Sequence, residues 1–321
     1  MLCVSHLSEI PADFGACVVT IGNFDGVHRG HAALLRQVVE LARERGVRSC
    51  AVTFDPHPLQ LLYPERAPQL IASSASRFDR LAQTGLDAVL VLDFTHELAA
   101  MTPEEFVSEV FVDGLHAVAA VVGSDIRFGA KNAGDVTTLR ELGERYDFGV
   151  EVMADVGDGH RISSTEIRSA LAEGAVDVAA RALGHLHDVR GMVVRGLQRG
   201  RELGFPTANL GRMPEGLVPA DGAYVGWLVR ESVPVGDPEH RMPAAISIGT
   251  NPTFDDVPER TVEAYVLDRD DLDLYDEVVR IEFVRRLRGN TKFDSIDALI
   301  EQMHRDVDQA REICRKHPDT A

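Results

Sequence analysis

Short apolar runs alternate with amphipathic segments from residue 17 to residue 156. A continuous apolar run favours a buried strand, whereas apolar residues three or four positions apart favour a helix. This pattern predicts strands at residues 16–21, 47–54, 88–92, 117–123 and 150–154, and helices at residues 32–44 and 136–146. Another helix is predicted to begin at Thr102, because Pro103 suits the first helical position and Glu105 completes a capping box. The strand–helix–strand repeat is typical of a parallel sheet with helices on both faces.

The pattern changes after Gly184. Strand-like segments, separated by turns rich in Gly, Pro and Asp, replace the long helical patterns as far as residue 287. They lie at residues 192–195, 224–230, 244–248, 261–267 and 278–284, and a helical pattern follows at residues 296–313. We expect a second, mostly antiparallel β domain, either a barrel or a sandwich, that begins near residues 183–188. A fragment of residues 186–321 is therefore predicted to fold by itself.

The composition supports two domains and argues against nucleic-acid binding. The 321 residues include 33 Lys or Arg and 51 Asp or Glu, so the formal net charge is −18. A single core rarely grows beyond roughly 250 residues, which favours two domains here. The negative field repels phosphate polymers, so we expect no nucleic-acid partner. None of the three lysines precedes Ser or Thr, which excludes a GxxxxGK[ST] phosphate loop.

The cysteines and the N-terminus indicate the compartment. The four cysteines form no CxxC pair, so they are expected to be reduced thiols. The first residues lack the basic and apolar regions of a signal peptide, and no apolar run approaches the roughly 20 residues that cross a bilayer. We therefore expect a cytoplasmic protein with no membrane partner. The sequence leaves the oligomeric state open, and a homo-oligomer is compatible with it.

The decapeptide GNFDGVHRGH connects the first predicted strand to the first predicted helix. Its glycines allow a tight turn, and the N-terminus of the helix attracts an anion. His28 and His31 are three residues apart, so both rings lie near that end and can donate hydrogen bonds to phosphate oxygens. Two surface histidines or half of a metal site would be the ordinary interpretation of this pair alone. In this context the segment predicts a phosphate site that includes Gly22, Asn23 and Phe24.

The segment ISSTEIR predicts a second anion site. Ser163 and Glu166 can form a capping box, which leaves the amides and hydroxyls of Ser164 and Thr165 in the first helical turn. Arg168 lies one turn later and could bind a phosphate through two hydrogen bonds. Alone, the segment is a well-capped helix. Combined with the first site, it predicts the other half of a triphosphate site.

Residues 189–212 reverse the local charge, with five arginines and one acid among five glycines. A glycine-rich basic loop is suited to ATP phosphates, and Arg199, Arg201 and Gly204 are its candidate contacts. A solvated basic turn is the alternative. Thr207 and Asn209 follow and offer neutral oxygens that suit Mg²⁺ with its phosphate and water ligands.

Two further segments of the predicted β domain carry charge. Glu263 and Tyr265 share one face of a predicted strand, and Val262 and Ala264 share the other. An outward-facing strand glutamate is ordinarily solvated. Residues 280–292 contain five basic residues and one acid, which favours a salt-bridged strand edge over a role in binding a flavin phosphate or the neighbouring module.

These motifs together resemble bacterial bifunctional riboflavin kinase/FAD synthetases. HxGH and ISSTxxR resemble the nucleotidyltransferase fold, and FDPHP, RFG and GD, which begin at residues 54, 127 and 134, fit the same family. GFPTAN, which begins at Gly204, is similar to the flavokinase signature. The resemblance implies a Rossmann-like FMN adenylyltransferase domain with a parallel sheet at residues 1–184. It implies an antiparallel β-barrel riboflavin kinase domain with a terminal helix at residues 185–321.

The resemblance also implies two ATP- and magnesium-dependent reactions. The C-terminal domain would phosphorylate riboflavin to FMN, and the N-terminal domain would transfer AMP to FMN, which yields FAD and pyrophosphate. Glu263 matches the acid that accepts the proton of the riboflavin hydroxyl. The implied flavin contacts are Phe54, Pro56, Pro58, Asp125 and Phe128.

Three other functions are compatible with parts of the pattern. The first is an adenylyltransferase for another small phosphate, in which the β domain only recognises the substrate. The second is a flavin sensor that has lost turnover, but the presence of both histidines, Asn209 and Glu263 speaks against it. The third is a tRNA synthetase, which fits poorly with the net charge of −18.

Overall fold

The chain folds into two units in this computed structural model, which describes residues 1–154, 162–196, 200, 203–250 and 260–316. The first unit consists of Met1–Gln69 and Ala75–Ser163, and the second consists of Leu70–Ser74 and Ser164–Ala321. By its packing, the segment from Ser164 onward therefore belongs to the second unit. The boundary predicted between residues 184 and 185 separates the domains of the two predicted activities, and it stays a prediction.

A parallel sheet of six strands forms the centre of the first unit. The strands are β1 (Leu2–Val4), β2 (Cys17–Ile21), β3 (Arg48–Asp55), β4 (Ala88–Asp93), β5 (Ala117–Gly123) and β6 (Gly149–Met153). Their order in the sheet is β1-β4-β3-β2-β5-β6, and every neighbouring pair is parallel. All five residues of β2 are buried because helices cover both faces of the sheet. The predicted parallel α/β sheet is confirmed.

Helices of different lengths cover the sheet. They are α1 (Arg29–Arg45), α2 (Pro58–Leu62), α3 (Ser74–Gln83), α4 (His96–Ala100), α5 (Pro103–Phe106), a π-helix (Val107–Gly114) and α6 (Val136–Tyr146). The predicted start at Thr102 is confirmed, since its hydroxyl accepts from the N–H of Glu105 while its own N–H donates to the Glu105 carboxylate. The apolar side chains of β2 point alternately into two cores. One of these cores contains Phe106 of α5, and the other contains Leu35 of α1.

The strand order places a ligand crevice at one edge of this sheet. The chain leaves β2 for β3 on one side and returns to β5 on the other side, so the topology switches between β2 and β5. Ligands of open α/β sheets bind at the carboxyl ends of strands at such a switch point. The segments that begin at Gly22, Pro56 and Ser124 follow β2, β3 and β5 and therefore share that edge.

A closed antiparallel barrel forms the centre of the second unit. Its strands are β7 (His187–Val194), β8 (Ala208–Leu210), β9 (Gly222–Arg230), β10 (Arg241–Gly249), β11 (Thr261–Val266) and β12 (Val278–Arg288). They pair in the closed order β10-β11-β8-β7-β12-β9. Two register shifts in β12 let this long strand bend around the barrel. The structure decides for the barrel over the sandwich, and it adds β8, which is too short to show a periodic pattern.

Within the described part of the second unit, the barrel is accompanied by α7 (Ser164–Glu173), α8 (Val176–Leu183) and α9 (Ile296–Lys316). The terminal helix α9 covers an apolar cluster that includes Phe205, Trp227 and its own Ala310. Two of the four arginines of β12 form ion pairs, in keeping with the salt-bridge interpretation: Arg280 with Glu231 at 3.4 Å and Arg288 with Asp306 at 2.7 Å.

Helices α7 and α8 are expected to stabilise the barrel when the second unit is produced alone. The N–H of Ala220 donates to the carbonyl of Leu171, and Nη1 of Arg286 donates to that of Glu173. Val176 and Leu183 of α8 are buried at 0% and 2% exposure. Their loss would remove about 1.5–3 kcal/mol of apolar burial each.

We therefore expect the fragment 164–321 to melt about 10 °C or more above the fragment 186–321. Thermal unfolding followed by circular dichroism measures this difference. Both fragments lack Leu70–Ser74, so they differ only in α7, α8 and the residues that follow them. Equal melting temperatures would contradict the packing described above.

Candidate functional site

The loop after β2 has an unusual backbone. Phe24 and Val27 have φ values of +49° and +40°, and Gly26 has a φ of +74°. Non-glycine residues in this region are strained, and such strain persists where the surrounding structure enforces it. The carbonyl of Asn23 accepts a hydrogen bond from the Thr53 hydroxyl at 3.3 Å, which ties the loop to β3. The loop is therefore held in one conformation at the carboxyl edge of the sheet.

The two histidines stack at the start of α1. His28 is the N-cap residue, and its Nδ1 accepts the backbone N–H of His31 at 3.3 Å. The ring centroids are 3.7 Å apart with an interplanar angle of 15°, and the ring of Phe24 meets that of His31 edge-on at 5.3 Å. Because Nδ1 of His28 is an acceptor, the neutral ring carries its proton on Nε2. His28 thus carries a donor, Nε2–H, at the positive end of the helix dipole.

Three predicted flavin contacts lie around the end of β3. The ring of Phe54 packs edge-on against Phe94 at 5.3 Å. Pro56 is exposed, and Pro58 is the first residue of α2. His57 caps this short helix, because its Nδ1 accepts the N–H of Leu59. The segment presents apolar surface at the same edge as the histidines.

The other two predicted flavin contacts follow β5 and differ in exposure. Asp125 is exposed. Phe128 is only 6% exposed, and it packs against Phe106 within the core. Its backbone pairs with Gly134 in both directions. Phe128 therefore orders this loop, and it offers a flavin little free surface.

The predicted second anion site occupies the start of α7. The helix begins at Ser164, so Ser164 and Thr165 occupy its first turn as predicted from the sequence. Thr165 is exposed, and Arg168 is half-buried one turn later. Ile167 points into the second unit and is fully buried. The phosphate-binding roles of the three polar residues stay predictions.

In the barrel, oxygen-bearing side chains converge on one carboxylate. The Thr207 hydroxyl donates to Oε2 of Glu263 at 3.3 Å, and Nδ2 of Asn209 lies 3.1 Å from the Thr207 hydroxyl. Glu263 and Asn209 are directly paired on β11 and β8. A Cβ on Gly196 would lie 2.7 Å from Oδ1 of Asn209, so only glycine permits this close approach. The sequence analysis named all three oxygen-bearing residues as candidates, and the strand register of the barrel brings them together.

A small cleft of about 70 Å³ adjoins Thr207 and Asn209. Its lining also includes Val266, Leu274 and Tyr275. The guanidinium of Arg195 lies over the ring of Tyr275 at 5.2 Å. The cleft thus combines the two neutral oxygen donors with apolar residues and with the charged residues Arg269 and Asp270.

The glycine-rich basic segment is partly described. Arg199 and Arg201 lie outside the described residues, and Gly204 has a φ of +87° in the turn before Thr207. Arg190 belongs to β7 and pairs with Glu231 at 2.9 Å. This arginine of the segment therefore belongs to a strand of the barrel, and Glu231 balances its charge.

Two polar residues near the sites escaped sequence reasoning. Thr261 lies two residues before Glu263, and its hydroxyl is 3.1 Å from Oε1 of that carboxylate. The alternation of β11 could have indicated it, since both side chains share a face. Arg77 is 5% exposed beside the loops after β2 and β3. Its position in an amphipathic helix gave no signal, because arginines on such helices are usually solvated.

Two searches of the described part of the chain bear on metals and membranes. Within residues 1–154, 162–196, 200, 203–250 and 260–316, no three His, Cys, Asp or Glu side chains group as metal ligands. In the same ranges, no helix has the length and apolar content needed to cross a membrane.

Comparison with known proteins covers both units. The FAD synthetase family matches residues 10–166, and the riboflavin kinase family matches residues 183–314. A bifunctional riboflavin kinase/FMN adenylyltransferase of Pseudomonas fluorescens is 38% identical over 312 residues, 97% of each chain. The protein of the same description from Escherichia coli strain K12 is 36% identical over 310 residues, 96% of each chain.

A solved structure has the same fold over nearly the whole length. It comes from Streptococcus pneumoniae, is described as a macrolide-efflux protein and is 31% identical. The TM-score is 0.82, and the match covers 97% of this chain and 98% of that one. Together with the two family matches and the full-length relatives, the parallel sheet and the closed barrel lead to one conclusion. The chain belongs to the family of bifunctional riboflavin kinase/FMN adenylyltransferases.

Proposed function

We propose that this chain makes FAD from riboflavin in two ATP-dependent steps, with residues 185–321 as the kinase domain and residues 1–184 as the adenylyltransferase domain. The observation that carries the proposal is the cluster of Glu263, Thr207 and Asn209 beside the cleft. A domain that only recognised its substrate would have no need for a fixed carboxylate beside two neutral oxygen ligands.

In the kinase step, Glu263 accepts the proton of the riboflavin hydroxyl as the hydroxyl oxygen attacks the γ-phosphorus of ATP. The bond from that phosphorus to the β,γ-bridging oxygen breaks, and ADP leaves. Hydrogen bonds from Thr207 and Thr261 hold its two oxygens in place, so a lone pair can face the substrate. The cleft beside Thr207 is proposed to receive part of the ATP molecule. Gly204, Arg199 and Arg201 are proposed to contact its phosphates.

Magnesium fits the donor set of this cluster. Thr207 and Asn209 offer neutral oxygens beside a carboxylate, and Mg²⁺ takes few protein ligands while it keeps phosphate and water oxygens. We propose that these two residues hold it. When bound, the ion would neutralise charge on the ATP phosphates.

In the adenylyltransferase step, the phosphate of FMN needs no protein base. Its second pKa is about 6, so it is mostly a dianion at neutral pH. The site must align this oxygen with the α-phosphorus of ATP and stabilise charge on the leaving pyrophosphate. Nε2–H of His28 and the ring of His31 are proposed to donate to phosphate oxygens near the Gly22–Phe24 backbone.

Two further groups complete this assignment. Ser164, Thr165 and Arg168 are proposed to bind nucleotide phosphates at the start of α7. Phe54, Pro56, Pro58 and Asp125 are proposed to contact FMN, with Phe128 holding the Asp125 loop in place.

The decisive experiment incubates the purified protein with riboflavin, ATP and Mg²⁺ and separates the flavins by chromatography. We expect FMN to appear first and FAD to follow. If the protein forms FAD from added FMN but no FMN from riboflavin, the barrel only recognises the substrate. If it forms neither FMN nor FAD, the result supports the alternative of a flavin sensor that has lost turnover.

A milder kinase variant tests how Glu263 is held. Thr261→Val keeps the β-branched shape and removes the hydroxyl, whereas Thr261→Ser keeps the hydroxyl. A hydrogen bond to a charged group contributes about 1.5–3 kcal/mol, so we expect kcat of Thr261→Val to fall by about tenfold. The effect stays near the lower limit because the single hydroxyl proton also reaches the carbonyl of Gly249 at 3.2 Å. Steady-state kinetics that show unchanged kcat for Thr261→Val, or no recovery in Thr261→Ser, would contradict the assignment.

We also propose a cytoplasmic location. Cys3, Cys17, Cys50 and Cys314 are all free thiols. Burial raises the pKa of Cys50 to about 12 and also raises that of Cys17. Unpaired, buried thiols of this kind fit a reducing compartment.

A further inference from the structure

A buried arginine connects the two loops that the adenylyltransferase uses. Arg77 of α3 is 5% exposed, although guanidinium groups are rarely buried without partners. Its Nη1 lies 3.4 Å from the carbonyl of Asn23 and 3.4 Å from the carbonyl of Phe54. One carbonyl belongs to the loop before the two histidines, and the other belongs to the end of β3. The same guanidinium therefore contacts the loop after β2 and the end of β3.

The surrounding charges show why a cation is needed there. Asp25 and Asp55 act electrostatically on Arg77, and Asp25 is only 3% exposed. Burial lowers the pKa of Arg77, while these two acids oppose that effect. An unbalanced pair of carboxylates would repel the phosphates of both substrates. Arg77 compensates their charge next to the site.

The loop itself requires external support. Phe24 and Val27, which have strained φ values, follow Asn23, and the carbonyl of Asn23 also accepts a hydrogen bond from the Thr53 hydroxyl. Among the described residues, Nε of Arg77 has no hydrogen-bond partner, so the contacts of the group are concentrated at Nη1. One nitrogen can donate to two carbonyls because Nη1 carries two N–H groups. A lysine side chain is shorter, and its ammonium ends one bond short of the position of Nη1.

We infer that Arg77 is a positioning residue for adenylyl transfer. It fixes the distance between the loop after β2, which is proposed to bind phosphate, and the end of β3, where the segment proposed to contact the flavin begins. The inference deepens the proposed function and rests on it. Alignment of the attacking and leaving groups accounts for a large part of such a reaction, and a misplacement of about 1 Å can cost 10²-fold. Arg77 touches neither substrate in this role.

The test compares four full-length proteins: wild type, Arg77→Met, Arg77→Lys and Arg80→Met. Arg80 lies on the same helix and is half-exposed, so it controls for the loss of a helical arginine. Initial rates of FAD formation from FMN and ATP give kcat and both KM values. Riboflavin kinase activity of the same samples serves as an internal control, and near-ultraviolet circular dichroism gives the folded fraction.

For Arg77→Met we expect kcat of adenylyl transfer per folded molecule to fall by about 10- to 100-fold, with a higher KM for FMN and for ATP. Kinase activity and the Arg80→Met protein should match the wild type. Arg77→Lys keeps the charge, so its KM for ATP should recover, but its kcat should stay low because the shorter side chain does not reach the two carbonyls.

Two results would overturn the inference. The first is a loss in Arg77→Met that merely follows the folded fraction, with unchanged KM values. The second is wild-type kcat in Arg77→Lys, and this variant decides the question if Arg77→Met does not fold. A wild-type protein that fails to adenylylate FMN would instead contradict the proposed function.

Discussion

Replacing His31 by alanine is expected to lower FAD formation from FMN by about 10²- to 10³-fold, the cost of removing one preorganised donor from a charge-stabilising site. FMN formation from riboflavin should continue, because the barrel residues are unchanged. The ring of His31 stacks on that of His28 at 3.7 Å, so its removal also frees His28 to turn. His28→Ala should give the same phenotype, since it removes both the N-cap and the Nε2 donor.

The measurement is the rate of each flavin product, followed by chromatography in a single incubation. His116→Asn provides a matched control. His116 is exposed at the opposite edge of the sheet, and asparagine tolerates its φ of +48°. Unimpaired FMN-to-FAD conversion in His31→Ala and His28→Ala would remove both histidines from the mechanism.

Replacing Glu263 by glutamine is expected to lower riboflavin phosphorylation by about 10²- to 10⁴-fold, the usual contribution of a positioned general base. The amide keeps the size of the side chain and its place between Thr207 and Thr261, but it cannot take up the proton. The NH₂ group of the glutamine is a donor, so it also repels one of the two threonine hydroxyl protons that the carboxylate accepts. Adenylylation of added FMN should be unchanged.

A second acid-to-amide substitution controls for the change in charge. Glu215→Gln removes an exposed carboxylate that pairs with Arg190 at 3.3 Å on the same barrel. Such a surface pair contributes about 0–1 kcal/mol, so kinase turnover should match that of the wild type. If Glu263→Gln and Glu215→Gln phosphorylate riboflavin equally well, Glu263 is not the base.

Local signals in the sequence were sufficient for much of the fold. The capping box at Thr102 was predicted from three residues, because it depends only on neighbours along the chain. The alternation around Glu263 correctly separated its half-buried face from Val262 and Ala264, which are 4% and 1% exposed. A period of two is imposed by the strand itself. The short strands β1 and β8 were missed because three residues carry no measurable period.

The candidate sites were predictable only as lists of residues. Asn209 and Glu263 are far apart in sequence, and only the antiparallel register of β8 and β11 makes them neighbours. The salt bridge of Arg190 could not be distinguished from an anion-binding loop until the fold placed Glu231 beside it. The exposure of Phe128 was equally hidden, because burial depends on what packs against the loop.

The sequence by itself determined the order of the two modules, the glycine and histidine turn, the capped helix starts and the strand faces. Each depends on interactions between residues a few positions apart. Only the tertiary structure decided that the barrel is closed, that α7 packs with the second unit, and that Arg77 is buried between the loops after β2 and β3. These features depend on long-range pairing, where the free energy of burial and hydrogen bonding outweighs local preference.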